Sequence, residues 1–400
     1  MHIPSFGQPK SSPNSVSHET VKTANKDENP VKLQAALEDL VQPGSVQSVE
    51  QAGKTDSCES DAHSYQSQEG GSKRGWLAKF FDQDDMNKLF ASEHMGNFVI
   101  VRSTGERIFE EMPIYVRIGM HLLFVTGHPL MSQAKIEKLL LAQSVKQGQT
   151  FDAMGPQVLP HIQSFVDQFG LPLSDLLEPD LSKYNTFNEF FYRKLRADAR
   201  PIASPSDPAV VVSQADCRLT VWQCVEDATR IWIKGKQFTI PALLGSEAFA
   251  STLGPSPAVA VFRLAPQDYH RFHTPVSGTL GKSINIPGKL YTVNPQAINE
   301  DLDVFTENSR SVLPIHLPSG QTVYVVAVGA MLVGSINWTH TQEGTKVEKG
   351  DELGWFAYGG STVILVTPTG STTWDEDIRR SSEQAMETLV RVGERIGGLN

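Results

Sequence analysis

Residues 355–366, WFAYGGSTVILV, place two glycines and a serine between two apolar runs. Both runs are rich in β-branched and aromatic residues, which predicts two strands. Gly359 and Gly360 have access to backbone conformations that are closed to other residues, so the chain can bend sharply just before Ser361. Taken alone, the pattern is typical of a hairpin turn.

Two further features bear on whether Ser361 takes part in chemistry. Residues 268–273, DYHRFH, contain His270 and His273, and Asp216 stands alone between two predicted strands. Each has a plain structural interpretation, a turn acid for Asp216 and a partly buried side chain for each histidine. A zinc site would need a third ligand at suitable spacing, and the sequence offers no obvious one. We therefore predict no metal.

Composition limits the class of protein. The chain has 400 residues, enough for one large domain with extensions or for two domains. Its formal net charge is −10, so bulk electrostatics do not favour a nucleic-acid partner. The three cysteines, Cys58, Cys217 and Cys224, have no C-x-x-C spacing and predict neither a disulfide framework nor a zinc site. This cysteine usage is typical of a reducing compartment.

Residues 1–75 are predicted to be a disordered polar tail. They are rich in Ser, Gln, Asn, Glu and Asp and poor in aromatic residues, so they cannot bury enough apolar surface to fold. No apolar segment follows Met1, and the first arginine is Arg74. The sequence therefore predicts neither a secretory signal nor a transit peptide.

Residues 76–200 are predicted to be a helical region. Within it, residues 114–125 form a dense apolar segment that Arg117 and His121 interrupt. The segment is too short to span a bilayer, so we expect no transmembrane helix. A buried helix is slightly favoured, and a membrane-associating helix with Arg117 facing the head groups stays open as the alternative.

The same region contains further predicted helices, at residues 135–141, 159–169, 173–177 and 184–195. The last is the best defined, because Thr186 and Glu189 have the spacing of a capping box. Pro201 marks its end.

After Pro201 the apolar period changes from helical to alternating, which predicts a β-rich body over residues 201–370. The predicted strands are residues 210–212, 219–225, 230–233, 258–264, 278–286, 312–317, 323–328, 331–338 and 362–366. Residues 371–400 are predicted to be a C-terminal helix or tail, with the charged helix at 383–396. The fold class is α+β, a helical N-terminal part followed by a β-rich body with barrel-sandwich-like hairpins.

Residues 343–354 resemble the half-barrel hairpin of biotinyl and lipoyl carrier domains, because glycines frame two short strands around a Lys-Gly-Asp turn. A carrier needs a lysine at the tip of a turn, after a methionine. Met331 is instead followed by Leu332 and Val333. A carrier module therefore lacks its reactive group, and only the hairpin geometry is retained.

Several segments, taken in order, resemble the phosphatidylserine decarboxylase family in its eukaryotic Gly-Gly-Ser-Thr branch. The matching segments are residues 184–201, 234–245, 263–273, 288–295, 328–336 and 359–362. Many relatives in this branch carry C2 or EF-hand-like modules ahead of the enzyme. The N-terminal part of this sequence shows no D-x-D-x-D-G calcium loop.

Loss of CO2 from an α-amino acid leaves a carbanion that needs an electron sink, usually PLP. The short predicted strands do not favour a PLP fold. The resemblance implies a pyruvoyl group made from Ser361, after Ser361 attacks the carbonyl of Gly360 and the catalytic domain splits between them. It assigns His273 as the base for this self-cleavage, oriented by Asp216 in an Asp–His–Ser arrangement, and His270 to substrate binding and proton transfer.

The resemblance implies a decarboxylase that converts phosphatidylserine to phosphatidylethanolamine. One alternative is a soluble relative that acts on a free aromatic amino acid, and a distant one is a non-catalytic carrier module. The implied partners are phosphatidylserine and a membrane surface, with the cleaved chains remaining associated and a homodimer left open. The expected location is an endomembrane (Golgi, endosome or vacuole) or the cytoplasm.

Overall fold

The structure, a computed structural model, describes residues 96–111, 148–231, 233, 238–291, 293, 304–330, 335–357 and 361–400. Some predictions therefore lie outside the described residues. They concern the tail 1–75, the apolar segment 114–125, the helix 135–141, and the glycines of the cleavage motif, Gly359 and Gly360.

Strands contain more of the described residues than helices do. They are β1 (Gly96–Val101), β2 (Arg107–Glu111), β3 (Val210–Val212), β4 (Cys217–Trp222), β5 (Ala258–Leu264), β6 (Arg271–His273), β7 (Gly278–Leu280), β8 (Ile284–Ile286), β9 (Arg310–His316), β10 (Thr322–Val328), β11 (Ile336–Trp338), β12 (Lys346–Val347), β13 (Glu352–Phe356), β14 (Ser361–Thr367), β15 (Thr372–Trp374), β16 (Glu387–Val390) and β17 (Arg395–Leu399).

Within the described ranges, eleven strands form one sheet in the order β12-β7-β9-β10-β14-β5-β4-β16-β1-β2, with β8 paired to β9. Strands β11, β13 and β6 form a small second sheet, and β15, β17 and β3 form a third. These sheets confirm the predicted fold that combines helices with a large β body. The barrel-sandwich detail and the helical N-terminal part stay predictions.

Helices are short and lie between the strands. They are α1 (Val158–Phe169), α2 (Phe187–Phe191), α3 (Val225–Ile231), α4 (Ile240–Leu244), α5 (Glu247–Ser251), α6 (Val304–Glu307) and α7 (Glu376–Glu383), with 3-10 turns at Leu173–Asp175 and Leu181–Lys183. None of the helices in the described ranges is long and apolar enough to cross a membrane.

Strand β14 lies in the middle of the large sheet, antiparallel to β10 on one edge and to β5 on the other. Successive side chains of a strand point to opposite faces. Val363 and Leu365 accordingly pack into one hydrophobic core, and Ile364 and Val366 pack into a second. Burial on both faces explains why the sequence shows a continuous apolar run here rather than alternation.

Helix α2 begins as the capping pattern predicts. The Thr186 hydroxyl accepts from the Glu189 N–H at 3.1 Å, while the Glu189 carboxylate accepts from the Asn185 N–H at 2.7 Å. The helix ends at Phe191, four residues earlier than predicted, because Tyr192 leaves helical geometry and its carbonyl accepts from Arg271. This early end decides where the next residues point.

Other predictions are wrong for tertiary reasons. The charged helix predicted over residues 383–396 is instead β16 and β17, because Glu387 is buried against Arg263 rather than exposed on a helix. Residues 230–233, predicted as a strand, include the end of α3, whose Ala228 packs into the core. Residues 107–111 form β2 and not a helix.

Candidate active site

Ser361 is the first residue of β14 and is completely buried. Its backbone is in register with Leu264 at the end of β5, and Thr362 pairs with Val328 of β10. Among the described residues, the Ser361 Oγ has no hydrogen-bond partner. The hydroxyls of Thr220, Thr362, Thr367 and Thr388 share this state, so the feature that makes this serine a candidate for a chemical role is its position directly after Gly359 and Gly360.

Residues 268–273, called the histidine segment here, approach Ser361 along the chain through the small sheet of β11, β13 and β6. Strand β6 pairs with β13, and the Phe356 N–H donates to the His270 carbonyl at 3.0 Å. Phe356 ends β13 and precedes Ser361 by five positions in the chain. The backbone therefore ties His270 to the strand that leads to the serine.

The side chain of His270 is fixed by a carbonyl and an aromatic ring. Its Nδ1 lies 2.9 Å from the carbonyl oxygen of Asp268. A carbonyl can only accept, so Nδ1 carries the proton and Nε2 carries the lone pair. The Phe191 ring packs on the imidazole, with ring centroids 3.9 Å apart.

His273 has a similar arrangement with different partners. Its Nδ1 donates to the Gly350 carbonyl at 2.8 Å, and its Nε2 accepts from the Tyr269 hydroxyl at 3.2 Å. Burial lowers the pKa of His273, although the Gly350 carbonyl and nearby carboxylates oppose that effect. His273 is therefore neutral near pH 7 and has its accepting nitrogen at Nε2, which are both requirements for a general base.

Asp216 influences His273 electrostatically but does not contact it. Its carboxylate accepts from the Arg200 guanidinium, at 2.6 Å for the Nη2–Oδ2 pair, and from the Val392 N–H at 2.9 Å. Among the described residues, no hydrogen bond joins Asp216 to His273. Asp216 and Tyr269 line the same cavity of about 540 Å³. The structure thus brings the acid and the histidine into one neighbourhood without a direct bond.

A buried network of ion pairs anchors Asp268, the first residue of the histidine segment. Glu110 binds Arg218 at 2.5 Å and Arg263 at 3.1 Å, and Arg263 binds Glu387 at 2.5 Å. Arg218 also binds the Asp268 carboxylate. Burial alone would raise the pKa of Glu110, but the two arginines outweigh it and lower the pKa to about 2.

The sequence interpretation missed this network and the partners of His273. Arg218 and Arg263 are charged residues inside otherwise apolar predicted strands, and that pattern could have indicated buried ion pairs. Nothing in the local sequence marks Tyr269 or Gly350, because their roles depend on contacts across the fold. The described part of the chain contains no group of three or more His, Cys, Asp or Glu side chains that could hold a metal ion.

Comparison with known proteins adds independent findings. A family model described as phosphatidylserine decarboxylase matches residues 187–398. Phosphatidylserine decarboxylase proenzyme 3 of Schizosaccharomyces pombe is 42% identical over 332 residues, covering 81% of this chain and 33% of that protein. Proenzyme 2 of Saccharomyces cerevisiae is 37% identical over 335 residues, covering 84% of this chain and 29% of that protein.

A bacterial relative is matched over most of its own length. The phosphatidylserine decarboxylase proenzyme of Chlamydia muridarum is 37% identical over 236 residues, covering 59% of this chain and 77% of that protein. This chain thus spans most of the bacterial relative but only about a third of the two fungal ones.

The buried ion network gives a testable prediction. Glu110→Gln removes the carboxylate that bridges Arg218 and Arg263 and leaves each arginine with its other partner, Asp268 or Glu387, so we expect a loss of about 1.5–3 kcal/mol in the free energy of unfolding. Urea unfolding at pH 7 measures it. Glu376→Gln is the matched control, because it disrupts an exposed pair with Arg379 and should cost less than about 1 kcal/mol.

Glu110→Gln also tests how the free energy of unfolding depends on pH. The pKa of Glu110 is lowered in the folded state, so its stabilising contribution is complete above its ordinary pKa of 4.5 and is lost as the pH falls towards 2. The wild type should lose about 3 kcal/mol through this carboxylate over that window. Equal acid sensitivity in Glu110→Gln would contradict the assignment.

Proposed function

The chain belongs to the phosphatidylserine decarboxylase family, and from that premise we propose that it cleaves itself before Ser361 and then converts phosphatidylserine to phosphatidylethanolamine and CO2. The observation that carries the proposal is the position of Ser361, which directly follows two glycines and begins a central strand with its hydroxyl buried. The histidine segment joins the strand that leads to it.

Self-cleavage begins when the Ser361 Oγ attacks the Gly360 carbonyl carbon. The C–O bond forms, the Gly360–Ser361 C–N bond breaks, and the chain becomes an ester with a free amine. His273 takes the hydroxyl proton at Nε2 and returns a proton to the amine. Its neutral state and its Nδ1–H bond to Gly350 support this role.

Asp216 supports the base from a distance in this proposal. A nearby negative charge stabilises the imidazolium that forms when His273 takes the proton. Arg200 and the Val392 N–H hold the Asp216 carboxylate in place, so the position of its negative charge is set before the reaction. This differs from a triad in which the acid binds the histidine directly.

Elimination of the ester and hydrolysis of the resulting dehydroalanine, with loss of ammonia, would leave a pyruvoyl group at position 361. The buried hydroxyl of Ser361 fits this origin, because the atom is available for the reaction and is enclosed by the sheet. A pyruvoyl group at this position would supply the electron sink for the pair that is released as CO2 leaves. His270, with its lone pair at Nε2, would take up a proton there from the substrate ammonium group and then deliver it to the carbon that CO2 leaves.

Strand pairing supports continued association of the two cleaved chains. The C-terminal piece would carry β14, which pairs with β5 and β10, and β16, which pairs with β4 and β1. Both strands are mostly buried, so separation would expose apolar surface to water. A lipid substrate would require the enzyme to work at the periphery of a membrane; this location, the compartment and a homodimer stay predictions.

A direct assay tests the proposed substrate. The purified protein should release CO2 from phosphatidylserine vesicles, and release from free serine or tryptophan should be at background. Ser361→Ala should release none, because it removes the proposed source of the electron sink. Release from free tryptophan but not from the vesicles would favour the alternative of a soluble amino acid decarboxylase.

We expect substitutions of His273 and His270 to affect different steps, cleavage and turnover respectively. His273→Ala should accumulate uncleaved precursor, because it removes the proposed base. His270→Ala should still cleave but lose about 10²–10⁴-fold in turnover, because a general acid contributes that much. Gel analysis of cleavage and CO2 release measure the two effects. His316→Ala, on an exposed histidine that binds Thr322, is the control and should change neither. Normal cleavage in His273→Ala would place the base elsewhere.

A further inference from the structure

Three consecutive residues after the core of α2 each contact the histidine segment. The Phe191 ring packs on the His270 imidazole. The Tyr192 carbonyl accepts from the Arg271 Nε at 2.8 Å. Arg193 donates to backbone carbonyls of the same segment. The early end of α2 permits the contacts of Tyr192 and Arg193, because Tyr192 leaves helical geometry.

The buried guanidinium of Arg193 donates hydrogen bonds to backbone carbonyl oxygens. It is only 6% exposed, and its guanidinium donates to the carbonyls of Phe191 at 3.3 Å, Gln267 at 3.0 Å and Asp268 at 3.3 Å. Among the described residues, no ion pair joins it to a carboxylate, in contrast to Arg200. Burying a cation is costly, so a position that keeps one to hold three carbonyls indicates a specific demand on that backbone.

The Asp268 carbonyl connects Arg193 to His270. It accepts from the Arg193 Nη2 at 3.3 Å and from the His270 Nδ1 at 2.9 Å. The arginine thereby fixes the direction of the carbonyl, and the carbonyl fixes which imidazole nitrogen carries the proton. Phe191 fixes the ring plane from the other side. Orientation and tautomer of a histidine are commonly set by such indirect contacts.

We propose that Arg193 is a positioning residue for His270: it holds the Asp268 carbonyl so that His270 stays protonated at Nδ1 and presents the Nε2 lone pair for proton transfer. The inference rests on the proposed function, in which His270 acts in turnover. His273 is oriented by the Gly350 carbonyl instead, so the proposal concerns decarboxylation and not self-cleavage.

The test compares Arg193→Met with Arg196→Met in the full-length protein. Arg196 lies three positions further on, is exposed and pairs with Asp198, so it is a matched control. For Arg193→Met we expect complete cleavage, a kcat that is about 10- to 100-fold lower and a KM within about 2-fold of the wild type. Arg193→Lys, which keeps the charge but not the planar fork, should give an intermediate kcat. Arg196→Met should match the wild type.

A spectroscopic readout separates positioning from loss of structure. In ¹⁵N-histidine NMR of the cleaved wild type, the His270 signals, assigned by their loss in His270→Gln, should show a proton on Nδ1 only. Arg193→Met, and to a lesser degree Arg193→Lys, should add a population protonated on Nε2. If Arg193→Met does not fold, the wild-type tautomer and Arg193→Lys still decide the question.

Three results would overturn the proposal: a wild-type His270 protonated on Nε2, a kcat for Arg193→Met within 2-fold of the wild type, or a lower kcat with an unchanged tautomer. Failure of the proposed function looks different. It would appear as a wild type that releases no CO2 from phosphatidylserine vesicles, and the tautomer measurement would still report whether Arg193 positions His270.

Discussion

The pairing of β14 on both edges is the constraint on which the site depends. Strands β5 and β10 hold its backbone in two ladders, and its side chains enter hydrophobic cores on both faces. Ser361 begins this strand, so its position is fixed and shielded from water. A nucleophile that must attack the preceding peptide bond gains from such fixation, because orientation is provided by folding and not at the moment of reaction.

Carbonyl oxygens, rather than carboxylates, orient the two histidines. The backbone carbonyls of Asp268 and Gly350 each accept a hydrogen bond from an Nδ1–H, so both rings present Nε2 as the basic nitrogen. Acids act further away: the Asp268 side chain anchors the segment to Arg218, and Asp216 acts through its field. Burial keeps His273 neutral near pH 7, while carboxylates and arginines neutralise one another in the interior.

The apolar pattern of the sequence predicts those strands whose burial depends on their own residues. Strand β5 was predicted at its observed bounds, because residues 258–264 form an unbroken apolar run. Strand β16 was missed, because Glu387 reads as a surface residue until Arg263, 124 positions away, is placed beside it. Ser361, His270, His273 and Asp216 came from resemblance and spacing, and their roles stay predictions.

The contacts of Arg193 could not be predicted in the same way. Its helix was expected to continue past it, which would have left the side chain near the helix terminus. The early end of α2 after Phe191 redirects it towards the Gln267 and Asp268 carbonyls. Such contacts depend on where a helix stops, and that depends on tertiary partners such as Arg271.

Intact-mass measurement of the purified protein shows whether the chain is cleaved before Ser361. We predict two chains, one ending at Gly360 and one beginning at position 361. The second should be lighter than a serine-initiated chain by the mass of one ammonia, because a pyruvoyl group replaces the amino terminus. A single uncleaved chain in a preparation that decarboxylates phosphatidylserine, or a C-terminal chain that begins with an intact serine, would contradict it.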